Sequence, residues 1–158
     1  MNPSESIKFE FPAEIRQSLG DIVIGWSRVE SLIAELLTFL LKADPGSMYV
    51  LNQDVASSTQ IKWIRVLAEQ NFHPNALEQL NELLVRIDAA RGERNAYVHG
   101  VWGPGPTEGT ATIQTVKLDR AEVIKTELVT APDLDDLFSD IETMSDELYA
   151  NLNALGIL

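Results

Sequence analysis

Apolar residues recur at helical spacing through most of the chain, and the places where the rhythm stops divide it into elements. From Asp21 to Lys42, Ile22, Trp26, Val29, Ile33, Leu36 and Leu40 follow steps of four and three, the period of one helix face. Leu32, Leu37, Phe39 and Leu41 widen that stripe well beyond a two-position seam. Such a helix is covered on more than one side, which predicts a central bundle position or a dimer interface. A shorter helical piece precedes it from Pro12 to Leu19 and can continue through Gly20, while residues 1–10 read as a loosely docked arm. Asp44-Pro45-Gly46 supplies turn chemistry, so residues 43–57 read as a loop. Ser57 with Gln60 three residues on has the capping-box spacing, and it opens a helix to about Asn71 with Ile61, Ile64, Leu67 and Ala68 inward.

The next helix begins near Asn75 and runs to about His99. Its stripe is Leu77, Leu80, Leu84, Ile87, Arg91, Arg94 and Val98, apolar for three turns and then cationic. A conflict between pattern and composition of this kind tends to mark function. Gly100, Gly103, Pro104, Gly105 and Pro106 stop the helix. Residues 110–129 favour a β-hairpin with its turn around Asp119-Arg120. A last helix starts at Pro132 with acids in its first turn, and Leu134, Leu137, Ile141, Met144, Leu148 and Leu152 line one face. The expected fold class is mainly α: one helical-bundle domain over residues 1–158 with a small β-hairpin inserted before the C-terminal helix.

Composition narrows the picture. A chain of 158 residues is one domain by length. It has no cysteine, which removes disulfides, thiolate nucleophiles and Cys-based zinc sites and suits a cytoplasmic protein. With two histidines 26 residues apart, no metal site is expected. The N-terminus lacks the pattern of a signal peptide, and the most apolar run, Leu32 to Leu41, is interrupted by Glu35 and too short to span a bilayer, so no membrane role is expected. Net charge is −12, and residues 126–158 hold eight acids and no Lys or Arg. A chain this acidic is a poor general binder of nucleic acid, DNA included, because that affinity comes from clustered cations. Work on RNA would need a local basic cleft. The acidic segment is a solvated face or a docking face for a protein partner.

The candidate chemistry sits in Arg94-Asn95-Ala96-Tyr97-Val98-His99. Histidine can move a proton in either direction near neutrality, and arginine forks onto phosphate oxygens while staying charged. On an ideal helix Asn95 and His99 share a face, whereas Arg94 and His99 lie about 140° apart. Either the helix is distorted near Gly100, or two copies of it face each other across a two-fold axis. The same side chains also fit a plainer role, in which His99, Arg91 and Arg94 satisfy the last helix carbonyls. Around them, Glu30 is expected to pair with Arg91 or Arg94, Tyr97 to be a packed aromatic, and Trp102 to extend the Asn95–His99 face if the helix continues.

Arg94 followed by Asn95 and, five positions after the arginine, by His99, at the end of a late helix in an all-α domain, resembles the signature of the HEPN superfamily. The resemblance covers these residues and the helical layout from about 20 to 100. It implies a homodimeric, metal-independent endoribonuclease without cofactors, in many members a toxin or defence protein with an antitoxin partner. By that resemblance Arg94 neutralises the scissile phosphate, His99 is the general acid or base, and Asn95 positions one of them, with a hydrogen bond to the imidazole the expected form. Glu30, Arg91, Tyr97 and Trp102 are the supporting residues. Position 101 is Val, where the subgroup paired with a nucleotidyltransferase antitoxin has Tyr, so regulation by tyrosine adenylylation is not implied. The competing expectation is a catalytically inactive dimeric helical module that binds a protein partner.

Overall fold

The computed structural model describes residues 10–117 and 122–158. Five helices and three strands follow in the order α1 (Ala13–Leu41), α2 (Pro45–Asp54), α3 (Ser57–Asn71), α4 (Pro74–His99), β1 (Val101–Pro104), β2 (Ala111–Lys117), β3 (Glu122–Val129) and α5 (Ala131–Ala154). The fold is mainly α with a small antiparallel sheet, as the hydrophobic pattern predicts. No helix among the described residues is long and apolar enough to cross a membrane. The arm expected at residues 1–10 lies outside the described residues except for Glu10, and so does the turn expected at Asp119-Arg120.

Of the residues that widen the α1 stripe, Leu32 and Leu37 are buried within one chain, while Phe39 and Leu41 are exposed. Ile15, Ile22, Trp26, Val29, Ile33, Leu36 and Leu40 are buried, and α1 packs against α5 and α3, with α2 and α4 at its margins. It is the central helix of the bundle. It is also one continuous helix, not two pieces, because a Cβ at Gly20 would meet open space and nothing there forces a break. Gly25 has a packing reason. A Cβ there would come within 3.0 Å of the Phe138 ring and 3.4 Å of Ile141, so its absence lets α5 lie close against α1.

Two local expectations are corrected. The segment 43–57 is not all loop, since Pro45–Asp54 is helical. Asp44 accepts from the Ser47 N–H at 3.0 Å and Pro45 takes the first position, where its missing N–H costs nothing. Met48 is buried while Tyr49 and Val50 are exposed, and exposed apolar side chains of this kind blur a helical period in the sequence. The Ser57–Gln60 capping box does not form. Ala56 is the N-cap and Ser57 already lies within the helix. The Ser57 hydroxyl donates instead to Glu30 Oε1 at 2.8 Å, and the Gln60 amide donates to the Val55 carbonyl at 2.9 Å. A full capping box opens α5, where Asp133 Oδ2 accepts from the Thr130 N–H and hydroxyl. These bonds hold the Asp133 carboxyl below its usual range.

The β insertion is larger than a hairpin. The segment Val101–Pro104, expected only to stop the helix, forms β1, and the sheet order is β1-β2-β3, antiparallel throughout. Trp102 faces Ile113, and Ala111 faces Val129. Ala111, Ile113 and Val129 are buried, so this face of the sheet closes the end of the bundle beside α4.

Candidate functional site

The site residues are placed by the way α4 ends. Leu80, Leu83, Leu84, Ile87 and Ala90 are its buried residues, so its last two turns run past the core. The helix stays regular to His99, and the Gly100 N–H bonds the Ala96 carbonyl at 2.9 Å. Distortion near Gly100, one of the two ways to align Arg94 with His99, is therefore ruled out. The chain then turns directly into β1. A Cβ at Gly100 would stand 2.5 Å from Ile113 and 2.6 Å from the Ala96 carbonyl oxygen, so only glycine fits where the helix meets β2.

Arg94 lies four residues after Ala90 and seven after Ile87, which sets its Cβ on the core side of the helix. Its chain is half-buried, and its Nε is buried without a hydrogen-bond partner. Its Nη1 donates to the side-chain oxygen of Asn95 at 3.0 Å. This bond ties the guanidinium to Asn95, which shares a helix face with His99 one turn on. His99 is exposed, and no side-chain hydrogen bond holds it among the described residues. The expected bond from Asn95 to the imidazole is replaced by the bond to Arg94, because adjacent side chains on α4 bring the guanidinium within reach first. Nor does His99 cap the helix, since the Ala96 carbonyl already has the Gly100 N–H.

The supporting residues fall differently from expectation. Glu30 pairs with neither arginine and accepts from Ser57. Arg91 is held by Asp88, three residues back, at 2.9 Å, a spacing that was visible in the sequence as a local pair. Trp102 does not extend the Asn95–His99 face, because the helix has ended and the residue belongs to β1. Its indole N–H donates to the Tyr97 carbonyl at 2.8 Å, its ring stacks on Tyr97 at 6.3 Å, and Phe11 meets its edge at 5.2 Å. Tyr97 is a packed aromatic, as expected. Burial, then the charges of Glu127, Glu93 and Asp133, push its phenol above the usual range, so it stays neutral at working pH. Trp102 and Tyr97 together anchor the end of α4 to the sheet and to the start of α1. Asp88 is the residue that sequence reasoning missed, and for Gly100 it missed the close approach to Ile113.

Among the described residues no group of three His, Cys, Asp or Glu side chains could hold a metal ion. Four open grooves cut the surface, and none of these four is lined by Arg94, Asn95 or His99. Among the described residues Arg94 pairs with no acid and is bonded by Asn95, and His99 is exposed one turn beyond. The outer side of the same turns carries Ala89, Gly92 and Ala96 beside the exposed Glu93, and a Cβ at Gly92 would meet nothing within 4 Å. No family model matches the chain, and neither does any curated protein or solved structure.

Proposed function

We propose that this protein is a metal-independent endoribonuclease of the HEPN type, acting as a homodimer whose cleft forms where two α4 ends meet. One observation carries the reading: the Arg94–Asn95 hydrogen bond ties a guanidinium with no carboxylate partner among the described residues to an amide on the face that carries exposed His99. A buried, unpartnered guanidinium nitrogen is costly, and an anion at the site, or the groups a second chain brings, would relieve it.

In this reaction the RNA 2′-OH attacks the adjacent phosphorus in line. His99 of one chain removes the hydroxyl proton or protonates the departing 5′-oxygen, and Arg94 neutralises the charge gathering on the non-bridging oxygens. The products are a 2′,3′-cyclic phosphate and a 5′-hydroxyl. Asn95 acts through Arg94, fixing its rotamer, and is a positioning residue. The purified protein should cleave a mixed RNA pool in EDTA and leave cyclic phosphate ends. His99→Ala and Arg94→Ala should each lower the rate by at least about a hundredfold, and Asn95→Ala by less.

A second reading rests on a different observation. Glu93, Glu127 and Asp133 surround Tyr97, and residues 126–158 contain acids and no Lys or Arg. A polyanion meets repulsion there, which favours an inactive dimeric module with a basic protein partner or antitoxin. Failure of the folded protein to cleave any RNA in the pool would select that reading.

A further inference from the structure

The sheet has two edges, and they differ in how they are protected. β1 has four residues and ends in Pro104, and short edges and proline both discourage pairing. β3 has eight residues, Glu-Val-Ile-Lys-Thr-Glu-Leu-Val, without Gly or Pro. Among the described residues its one strand neighbour is β2, so its outer edge carries a row of backbone donors and acceptors without a ladder. Lys125, Thr126 and Leu128 on it are exposed, Leu128 by 53%.

We infer that the outer edge of β3 pairs antiparallel with β3 of a second copy, with Thr126 on the two-fold axis, to make a continuous six-stranded sheet. The occupant follows from charge. A two-fold axis normal to the sheet keeps every residue on its own face, so the axis passes through a residue position. With the axis at Thr126, Lys125 faces Glu127 of the second copy and Glu127 faces its Lys125. Ile124 then stands opposite Leu128, and Val123 opposite Val129. Moving the axis one position back sets Lys125 against its own copy, and moving it one forward sets Glu127 against its own. Opposite charges directly across a pair stabilise it and like charges oppose it, so the sequence selects one register. Within one chain Lys125 and Glu127 already lie 2.5 Å apart on the same face, and pairing extends this contact into a closed four-charge ring. This inference does not rest on the ribonuclease reading.

The absence of cysteine makes the test direct. In the proposed register Thr126→Cys places two thiols opposite each other, at a Cα separation of about 4.5–5.5 Å, inside the range a disulfide needs. Leu128→Cys is the control, an exposed thiol that faces Ile124 and not itself. With both variants folded by circular dichroism, diamide should cross-link Thr126→Cys at least about tenfold faster than Leu128→Cys. Adding Lys125→Glu should slow the cross-link by about tenfold, and the swap Lys125→Glu with Glu127→Lys should restore it. Equal rates for the two thiols, or a Thr126→Cys rate that ignores Lys125→Glu, would overturn the proposal. A dimer seated only on α4 gives that same overturning result while the protein remains dimeric by light scattering.

Discussion

The central helix and the end of α4 are built from similar residues and answer their polar groups in opposite ways. Along α1, ten residues are buried, and the polar one among them, Ser18, is answered by a hydrogen bond from its hydroxyl to Asp135 Oδ1 at 2.6 Å. Beyond Ala90, α4 has no fully buried residue. There Arg94 keeps a buried nitrogen without a partner and His99 stands free. The difference is one of satisfaction: α1 pairs its buried polar group, and the last two turns of α4 leave Arg94 Nε without a hydrogen-bond partner among the described residues.

The comparison breaks most visibly at Trp26. Its ring is 1% exposed in the middle of α1, and Trp26→Ala should lose about 3–5 kcal/mol of stability in urea unfolding. A loss under about 1 kcal/mol would mean that α1 is not the centre of the core. Gly100 lies at the border of the two regions. Gly100→Ala drives a methyl into Ile113 and the Ala96 carbonyl and should cost about 1–3 kcal/mol. It should also displace His99, so the variant tests how far the site depends on the helix ending where it does.

A smaller effect comes from the Thr130–Asp133 box. Asp133→Ala should destabilise the protein by about 1 kcal/mol at neutral pH. The hydrogen bonds lower the folded-state pKa of this carboxyl from 3.8, so the stabilisation is present above that value. It is lost as pH falls through the lower, folded-state value. The stability gap between parent and variant should therefore be flat near neutrality and narrow below pH 3.8. A gap that widens in acid would contradict the assignment.

Much of this architecture could be read from spacing. The buried faces of α1 and α5 follow the apolar periods from Ile22 to Leu40 and from Leu134 to Leu152, while in α4 Leu80, Leu84 and Ile87 are buried as read, Leu77 is half-buried, and Leu83 and Ala90 join the core. The failures have local causes. In α2 the exposed Tyr49 and Val50 blur the period, and the Asp44-Pro45 pair fits a turn as well as a helix start. β1 was hidden because Gly100, Gly103 and Pro104 are strand-poor residues, held there by pairing with β2. At the site the sequence placed Asn95 and His99 on one face and Arg94 off it. It could not show that Asn95 would bond the arginine and leave the imidazole free, since that depends on rotamers at the end of the core. Glu30 went to Ser57 for a similar reason, the position of α3 against α1.

The proposal that the end of α4 carries the chemistry can be tested on one variant with two readouts. For His99→Ala, stability in urea and the rate of RNA cleavage in EDTA should part company. The account predicts a stability change within about 0.5 kcal/mol, as for a surface position without a structural partner, and the loss of cleavage. A loss of about 1 kcal/mol or more, with whatever cleavage the parent shows retained by the folded fraction, would make His99 a helix-end residue and remove it from the site.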